Sequence, residues 1–599
     1  MVLGTRTCQN CKIGFTVEPA DFKFYEKMQV PPPTWCPECR LIRRMIWRNE
    51  RSLYLRKCDL CREEKIMMFT ERSPYRVYCR ECWYSDKWES LDYGREYDFS
   101  KTFFEQFDEL LRLVPRPGNL QQGVNVGSEY TNRASNNKDC YLLFSSNFNE
   151  SCIYGQQMND SRDSLDGYGV QKSELCYECI DCVGSYHLKY SQECSSSSES
   201  QFLMNCRNCD HCFGCVNLRN KRYYIFNKPY SKDQYEKILS QWELGKYSTI
   251  QKLKKEVPKG LDKHIFPSII EHKGVNVSGN WIENCKNTLR SFNCRDVENG
   301  KYLFSVIGAK DVMDYTFFGR GCELSYDSVS IGYQCSRSIF MNESWDHVAD
   351  AAYSMDCINA SNLFGCVCVR NKKYCILNKQ YSKESFLRMR EKIITHMNDM
   401  PYRDKKARVY AYGEFFPAEV CPFSYNESIT QEYFPLSPEE AIKKGYQWKD
   451  SEVHQRAITL THSQLPDHIK DVPDSITNEI ISCQHANFGS ETSKGCNEQC
   501  TQAFRIIPQE LKFYRQMNIP LPRLCPNCRH YERLKRRNPL KLWERSCACA
   551  GGNSENGAYK NTTEHVHKNS HCLNAFETSY APQRPEIVYC EKCYLMEVA

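Results

Sequence analysis

The stretch CKIGFTVEPADFKFYEKMQVPPPTWCPECR, which runs from Cys11 to Arg40, returns near the end of the chain as CTQAFRIIPQELKFYRQMNIPLPRLCPNCR, from Cys500 to Arg529. The offset is 489 and holds without a gap from Cys11/Cys500 to Cys58/Cys547. A chain that repeats itself at its ends folds into two copies of one module, whatever lies between them. A second duplication is nested inside the first. FGCVNLRNKRYYIFNK, from Phe213, recurs as FGCVCVRNKKYCILNK, from Phe364. Each copy continues into Tyr-Ser-Lys, where Ser231 and Ser382 are natural caps for a following helix. Upstream, Asp163 and Asp166 of the first copy correspond to Asp311 and Asp314 of the second.

Helical periodicity is missing between about residues 130 and 215. Small or apolar residues recur there every twelve positions, at Cys140, Cys152, Ser164 and Cys176. Cys182, Cys194 and Cys206 repeat the spacing after a six-residue step. Polar turn formers (Asp139, Ser151, Asp163, Glu193, Asn205) precede members of both runs. A short repeat with small inward residues and polar corners predicts a β-solenoid, with Cys140, Cys152, Cys176 and Cys206 pointing inward. Paired antiparallel sheets are the alternative, since the second copy is less regular. The chain therefore reads as a multidomain, β-rich protein in seven parts. A zinc-ribbon module spans 1–95 and a helix and linker 96–122. The solenoid-like copies cover 123–245 and 276–400, joined by a linker at 246–275. A connector fills 401–480, and the second zinc-ribbon module 481–599. Two short helices are expected, one at 100–114 behind Ser100 and one at Pro438–Lys444 behind Ser437.

The 37 cysteines among 599 residues decide between disulfides and metal ligands. The opening MVLGTRTCQNCK has no apolar secretory core, and no stretch approaches the roughly twenty apolar residues of a membrane helix. Cytoplasmic thiolates are the expectation, with no membrane partner. The N-terminal cysteines fall in four C-x2-C knuckles: Cys8/Cys11, Cys36/Cys39, Cys58/Cys61 and Cys79/Cys82. Zinc takes four thiolates at tetrahedral corners, and two tight knuckles supply them, so these eight cysteines predict two structural zincs. The spacing alone leaves sequential pairing and a cross-brace both open.

The run C-x2-C-x3-F-x-V, then FKFYEKMQVPPPTWCPECR and arginines, resembles a zinc-ribbon domain found in many uncharacterised bacterial proteins. That resemblance covers about 40 residues at each end. It implies one zinc per unit, hence sequential pairing of knuckles. The family's usual EKGF-P step is EKMQV-P here. The whole chain also resembles the uncharacterised multi-CxxC proteins of uncultivated bacteria, a likeness that supplies no activity.

The C-terminal copy departs from the pattern. Its knuckles read Cys496-x3-Cys500, Cys525-x2-Cys528, Cys547-x-Cys549 and, after an insertion, Cys590-x2-Cys593. Asn497 stands where Cys8 would recur, and His565, His567, His571 or Cys572 are available to replace Cys549. Together the ends predict about four zincs, in closed four-ligand sites that leave no position for a catalytic water. Cys206, Cys209, Cys212 and Cys215 resemble an iron–sulfur run, but Ala360 and Leu363 replace the middle two in the second copy, which points to an apolar interior. The paired aspartates read as corner residues rather than acid–base catalysts. No Gly-rich phosphate loop, nucleophile elbow or H-E-x-x-H motif appears.

After each second knuckle comes a basic helix. Arg40, Arg44 and Arg48 lie on one face, and Arg529, Arg533 and Arg537 repeat them. Such a face suits a phosphate backbone, with Trp47, Tyr54 and Trp543 near to stack on bases. The leading expectation is a structural zinc protein that binds RNA, DNA or a nucleoprotein complex through these arginines. A protein-interaction scaffold with structural zinc is the second reading. A solenoid enzyme acting on polysaccharide or nucleic acid is the third.

Overall fold

The computed structural model describes residues 4–261, 263–450, 457–486 and 499–598. Its centre consists of two parallel β-solenoids. In the first, each turn pairs with the residue twelve positions on: Lys138 with Glu150, Glu150 with Arg162, Arg162 with Glu174. Every third residue sits in the left-handed region, as at Asp139 (φ 54°), Leu142 (φ 49°), Ser145 (φ 49°) and Phe148 (φ 58°). Each wall is therefore one short extended step ending in a left-handed corner, and four such walls close a turn. The residue after each corner points to the axis. Asn and Asp recur at the corners because, glycine aside, they tolerate this conformation best.

The axis explains the small residues. Within each wall, one amide reaches the next turn and one the previous turn, as with Lys138 N to Asn149 O (2.9 Å) and Asp139 N to Val126 O (2.8 Å). The third amide, on the inward residue, needs another acceptor. An inward serine one turn earlier supplies it: Ser128 Oγ accepts from Cys140 N at 3.0 Å, Ser164 Oγ from Cys176 N at 3.0 Å, and Ser191 Oγ from Leu203 N at 3.1 Å. Cys140, Cys152, Cys176 and Cys206 all point inward and are buried. The six-residue step between the two cysteine runs is a move of two walls, to the opposite side of the same tube. Ser191→Ala should cost about 1–3 kcal/mol, because it orphans the buried Leu203 amide. Denaturant unfolding followed in the first solenoid measures this, and an unchanged midpoint would contradict the ladder.

The second solenoid keeps the plan with uneven turns. Offsets run from 11 (Glu271 to Ile282) through 12 (Phe292 to Phe304) to 13 (Glu323 to Ser336 and Ser336 to Ala349). The added residue sits at one corner, where Arg320/Gly321, Tyr333/Gln334 and Asp346/His347 are left-handed in pairs. That insertion is why the twelve-residue pattern blurs there. Ser231 and Ser382 cap the helices Lys232–Ser240 and Lys383–Asp399. Ser437 caps Pro438–Lys443. The Phe103–Leu113 helix is capped by Thr102 with Glu105 in a capping box, not by Ser100. Ser100 instead binds Asp98 in the turn before it.

The ends dock crosswise. The N-terminal module, the Phe103–Leu113 helix, the outer face of the second solenoid and the connector share one hydrophobic core, which includes Trp35, Trp47, Phe107, Tyr326, Phe364 and Phe416. A second core joins the outer face of the first solenoid, through Tyr177, Tyr190 and Phe213, to Ile250 and to Leu511, Phe513 and Tyr514 of the C-terminal module. In these two cores each module packs on the solenoid farther from it in sequence, while polar contacts such as Arg48–Ser145 and Arg290–Glu577 tie each to the nearer one. Among the described residues, no helix is long and apolar enough to cross a membrane.

Candidate metal centres

Four sets of four cysteines converge: Cys8/Cys11/Cys36/Cys39, Cys58/Cys61/Cys79/Cys82, Cys483/Cys500/Cys525/Cys528 and Cys547/Cys572/Cys590/Cys593. Within each set the sulfurs lie within 4.8 Å of one another. Corners of a tetrahedron about 2.3 Å from a central ion are about 3.8 Å apart. Cys11–Cys36 at 3.7 Å, Cys61–Cys79 at 3.8 Å, Cys500–Cys525 at 3.9 Å and Cys572–Cys590 at 3.9 Å match that edge. In the first two sets, consecutive knuckles pair. No disulfide joins any of the 36 cysteines among the described residues.

One local geometry builds all four. The first cysteine of each set accepts the amide of the third at 3.2 Å: Cys36 N to Cys8, Cys79 N to Cys58, Cys525 N to Cys483, Cys590 N to Cys547. Cys36, Cys79 and Cys525 also stand at the N-cap positions of the helices Pro37–Met45, Arg80–Trp83 and Pro526–Leu534, with no side-chain bond to the helix amides. Unpaired amides at a helix start favour thiolates. Burial pushes the Cys58 thiol up, yet amides of Cys79, Cys61 and Leu60 bring it down to about 7.

Two ligands differ from expectation. Cys496 lies outside the described residues, and the described place of Cys8 is taken by Cys483. Cys8 follows a strand in which Arg6 pairs with Phe15; Cys483 follows one in which Ile481 pairs with Phe504. Phe504 is the duplicate of Phe15, so the two cysteines are structural equivalents, with sixteen residues between Cys483 and Cys500 where two lie between Cys8 and Cys11. Cys549 also leaves its predicted set. It stands at the position of Leu60 rather than Cys61, and Cys572 closes the fourth set from the insertion. Of the histidines, His565 and His567 gather instead with Cys549 and Cys593, while His571 pairs with Glu555. Cys206, Cys209, Cys212 and Cys215 occupy the four walls of one solenoid turn. Each donates to the carbonyl two residues earlier, at 3.3–3.5 Å.

The predicted phosphate-binding arginines are the main correction. They do not form an open face, because they enter the solenoids. Arg40 is bound to Asp314 at 2.8 Å, and Arg44 lies 3.3 Å from Asp314 and 2.7 Å from Asp327. Arg48 meets Glu50 at 2.5 Å and Ser330 Oγ at 2.6 Å. The C-terminal trio repeats the arrangement on the first solenoid, with Arg529 to Asp166 at 3.3 Å, Arg533 to Asp166 at 2.8 Å and Arg537 to Asp181 at 3.2 Å. Arg40, Arg44, Arg48, Arg529 and Arg533 are 0–4% exposed. Trp47 is buried as well. The aspartates Asp166 and Asp314 are left-handed corner residues and also the sockets for the modules. The connector seals the joint, where Glu414 takes Arg43 at 2.6 Å.

No family model matches the chain, and no curated protein matches it. Among solved structures, an alignment covers 49% of this chain and 86% of a "putative acetyltransferase" from Desulfovibrio desulfuricans G20, at 10% identity and a TM-score of 0.11. A likeness at that level carries no argument about function.

Proposed function

We propose that the chain is a scaffold held in shape by structural zinc, whose end modules clamp two solenoids so that their remaining outer walls face partner proteins. The observation that carries this reading is the burial of the duplicated arginines against Asp166, Asp181, Asp314 and Asp327. Their charge is spent inside the chain. All-thiolate sets with four protein ligands suit a closed structural ion, and zinc is the dication that tetrahedral thiolates select.

Binding to mixed-sequence oligonucleotides tests the reading against the nucleic-acid alternative. Each phosphate contact contributes about 0.9 to the salt slope on duplex DNA and about 0.7 on a single strand. The scaffold reading expects a slope near zero. A steep slope that falls by about two to three units when Arg529, Arg533 and Arg537 become alanine, with fold and metal intact, would restore the phosphate-binding role.

A further inference from the structure

We infer that the C-terminal module holds a dinuclear, thiolate-bridged metal centre, in which Cys593 is shared between the Cys547/Cys572/Cys590 set and a second site made by Cys549, His565 and His567. This rests on the structural-metal reading and adds one ion to it. The four donor atoms of Cys549, His565, His567 and Cys593 lie within 4.8 Å of one another. His565 Nδ1 is 3.1 Å from Cys549 Sγ, and His567 Nε2 is 3.3 Å from Cys593 Sγ. An imidazole nitrogen and a thiolate on one tetrahedral ion stand about 3.5 Å apart.

The surroundings fix both rings for ligation. The far nitrogen of His565, Nε2, faces Glu597 Oε1 at 2.8 Å, and both side chains are fully buried. That carboxylate also accepts from Tyr559 Oη at 2.9 Å and Thr562 Oγ1 at 2.8 Å, so it cannot swing away. The far nitrogen of His567, Nδ1, lies 2.7 Å from the Ser570 carbonyl. Each ring therefore spends its N–H on an oxygen and turns a lone pair toward the sulfurs, the arrangement that orients metal-bound histidine. Asn561 Nδ2 donates to Cys549 Sγ at 3.2 Å, and Tyr589 Oη holds Asn561 Oδ1 at 2.8 Å.

Charge supports two ions rather than one. Five cysteines meet here (Cys547, Cys549, Cys572, Cys590 and Cys593). One dication leaves three of five thiolate charges uncompensated, and two leave one. Every new donor lies in or next to the insertion that the N-terminal module lacks, and Cys549 stands where that module has Leu60.

Native mass spectrometry of the full chain loaded with zinc tests the site. Five ions are expected, falling to four when His565 and His567 are both replaced by alanine. Cobalt supplies a readout in the unsubstituted protein. Two cobalt(II) ions sharing the Cys593 sulfur couple magnetically, so paramagnetic resonance intensity per ion drops as the last equivalents bind. A count of four in the unsubstituted chain, or intensity rising in step with every cobalt added, overturns the bridged centre and leaves the four thiolate sites standing. A count below four overturns both readings.

Discussion

Replacing Asp314 by alanine is expected to release the N-terminal module from the second solenoid while the C-terminal module stays docked. Asp314 is fully buried between Arg40 and Arg44, so its loss strands the Arg40 guanidinium in the interior and takes one of two carboxylates from Arg44. Removing one partner of a buried pair costs about 3–5 kcal/mol, because the remaining charge is left uncompensated. Arg44 keeps Asp327, whereas Arg40 keeps the Trp35 carbonyl and the face of the Tyr302 ring in place of a carboxylate. Asp166→Ala is the mirror experiment, since that carboxylate holds Arg533 and shares Arg529 with Glu510. Amide exchange separates the two outcomes. Asp314→Ala should speed exchange in the Pro37–Met45 helix and leave Pro526–Leu534 protected, and Asp166→Ala should do the reverse. Equal effects on both helices would mean that the modules are not docked independently. Local exchange is the right measure, because a multidomain chain has no single unfolding free energy.

Metal removal is expected to have the larger effect. The modules are short hairpins and helices of nine residues or fewer around each thiolate set, apart from Pro19–Met28. For such units the ion supplies the folding energy, about 10–16 kcal/mol for zinc-finger peptides near neutral pH. Chelation should therefore expose the Cys8–Cys82 and Cys500–Cys593 segments to protease and leave the solenoids intact. The solenoids are held by their own ladders and by apolar interiors that include Cys152, Leu188 and Cys215, none of which belongs to a convergent four-donor set among the described residues. Re-addition of zinc should restore protection. Modules that stay protected after complete removal of the metal would show that packing alone holds them.

How much of this was readable depends on distance along the chain. The solenoid was legible because its period is local, so inward residues return every twelve positions and the turns stack in order. The knuckles were legible wherever two cysteines sit in one tight turn. Cys483 was not, because sixteen residues separate it from Cys500 and Cys496 offers a nearer partner. Only the strand pairing of Ile481 with Phe504 reveals its place. The arginines show a different limit. Their spacing does put them on one helical face, but charge alone does not say whether that face meets solvent. Their partners lie about 270 residues away from Arg40 and about 360 from Arg529, in aspartates whose duplication was visible and whose role was not.

The crosswise docking has a direct chemical test in a pair of exposed groups. Lys27 Nζ lies 2.9 Å from Asp311 Oδ2, with side chains 51% and 25% exposed. A zero-length carbodiimide reagent can join such a pair, and peptide mass spectrometry reads which residues were joined. Lys138 and Glu150, 2.8 Å apart within the first solenoid, serve as the internal control. A link between Lys27 and Asp311 within a single chain is expected. A link from Lys27 to Asp163, the duplicate of Asp311 in the first solenoid, or no Lys27 link when the control pair is joined, would contradict it.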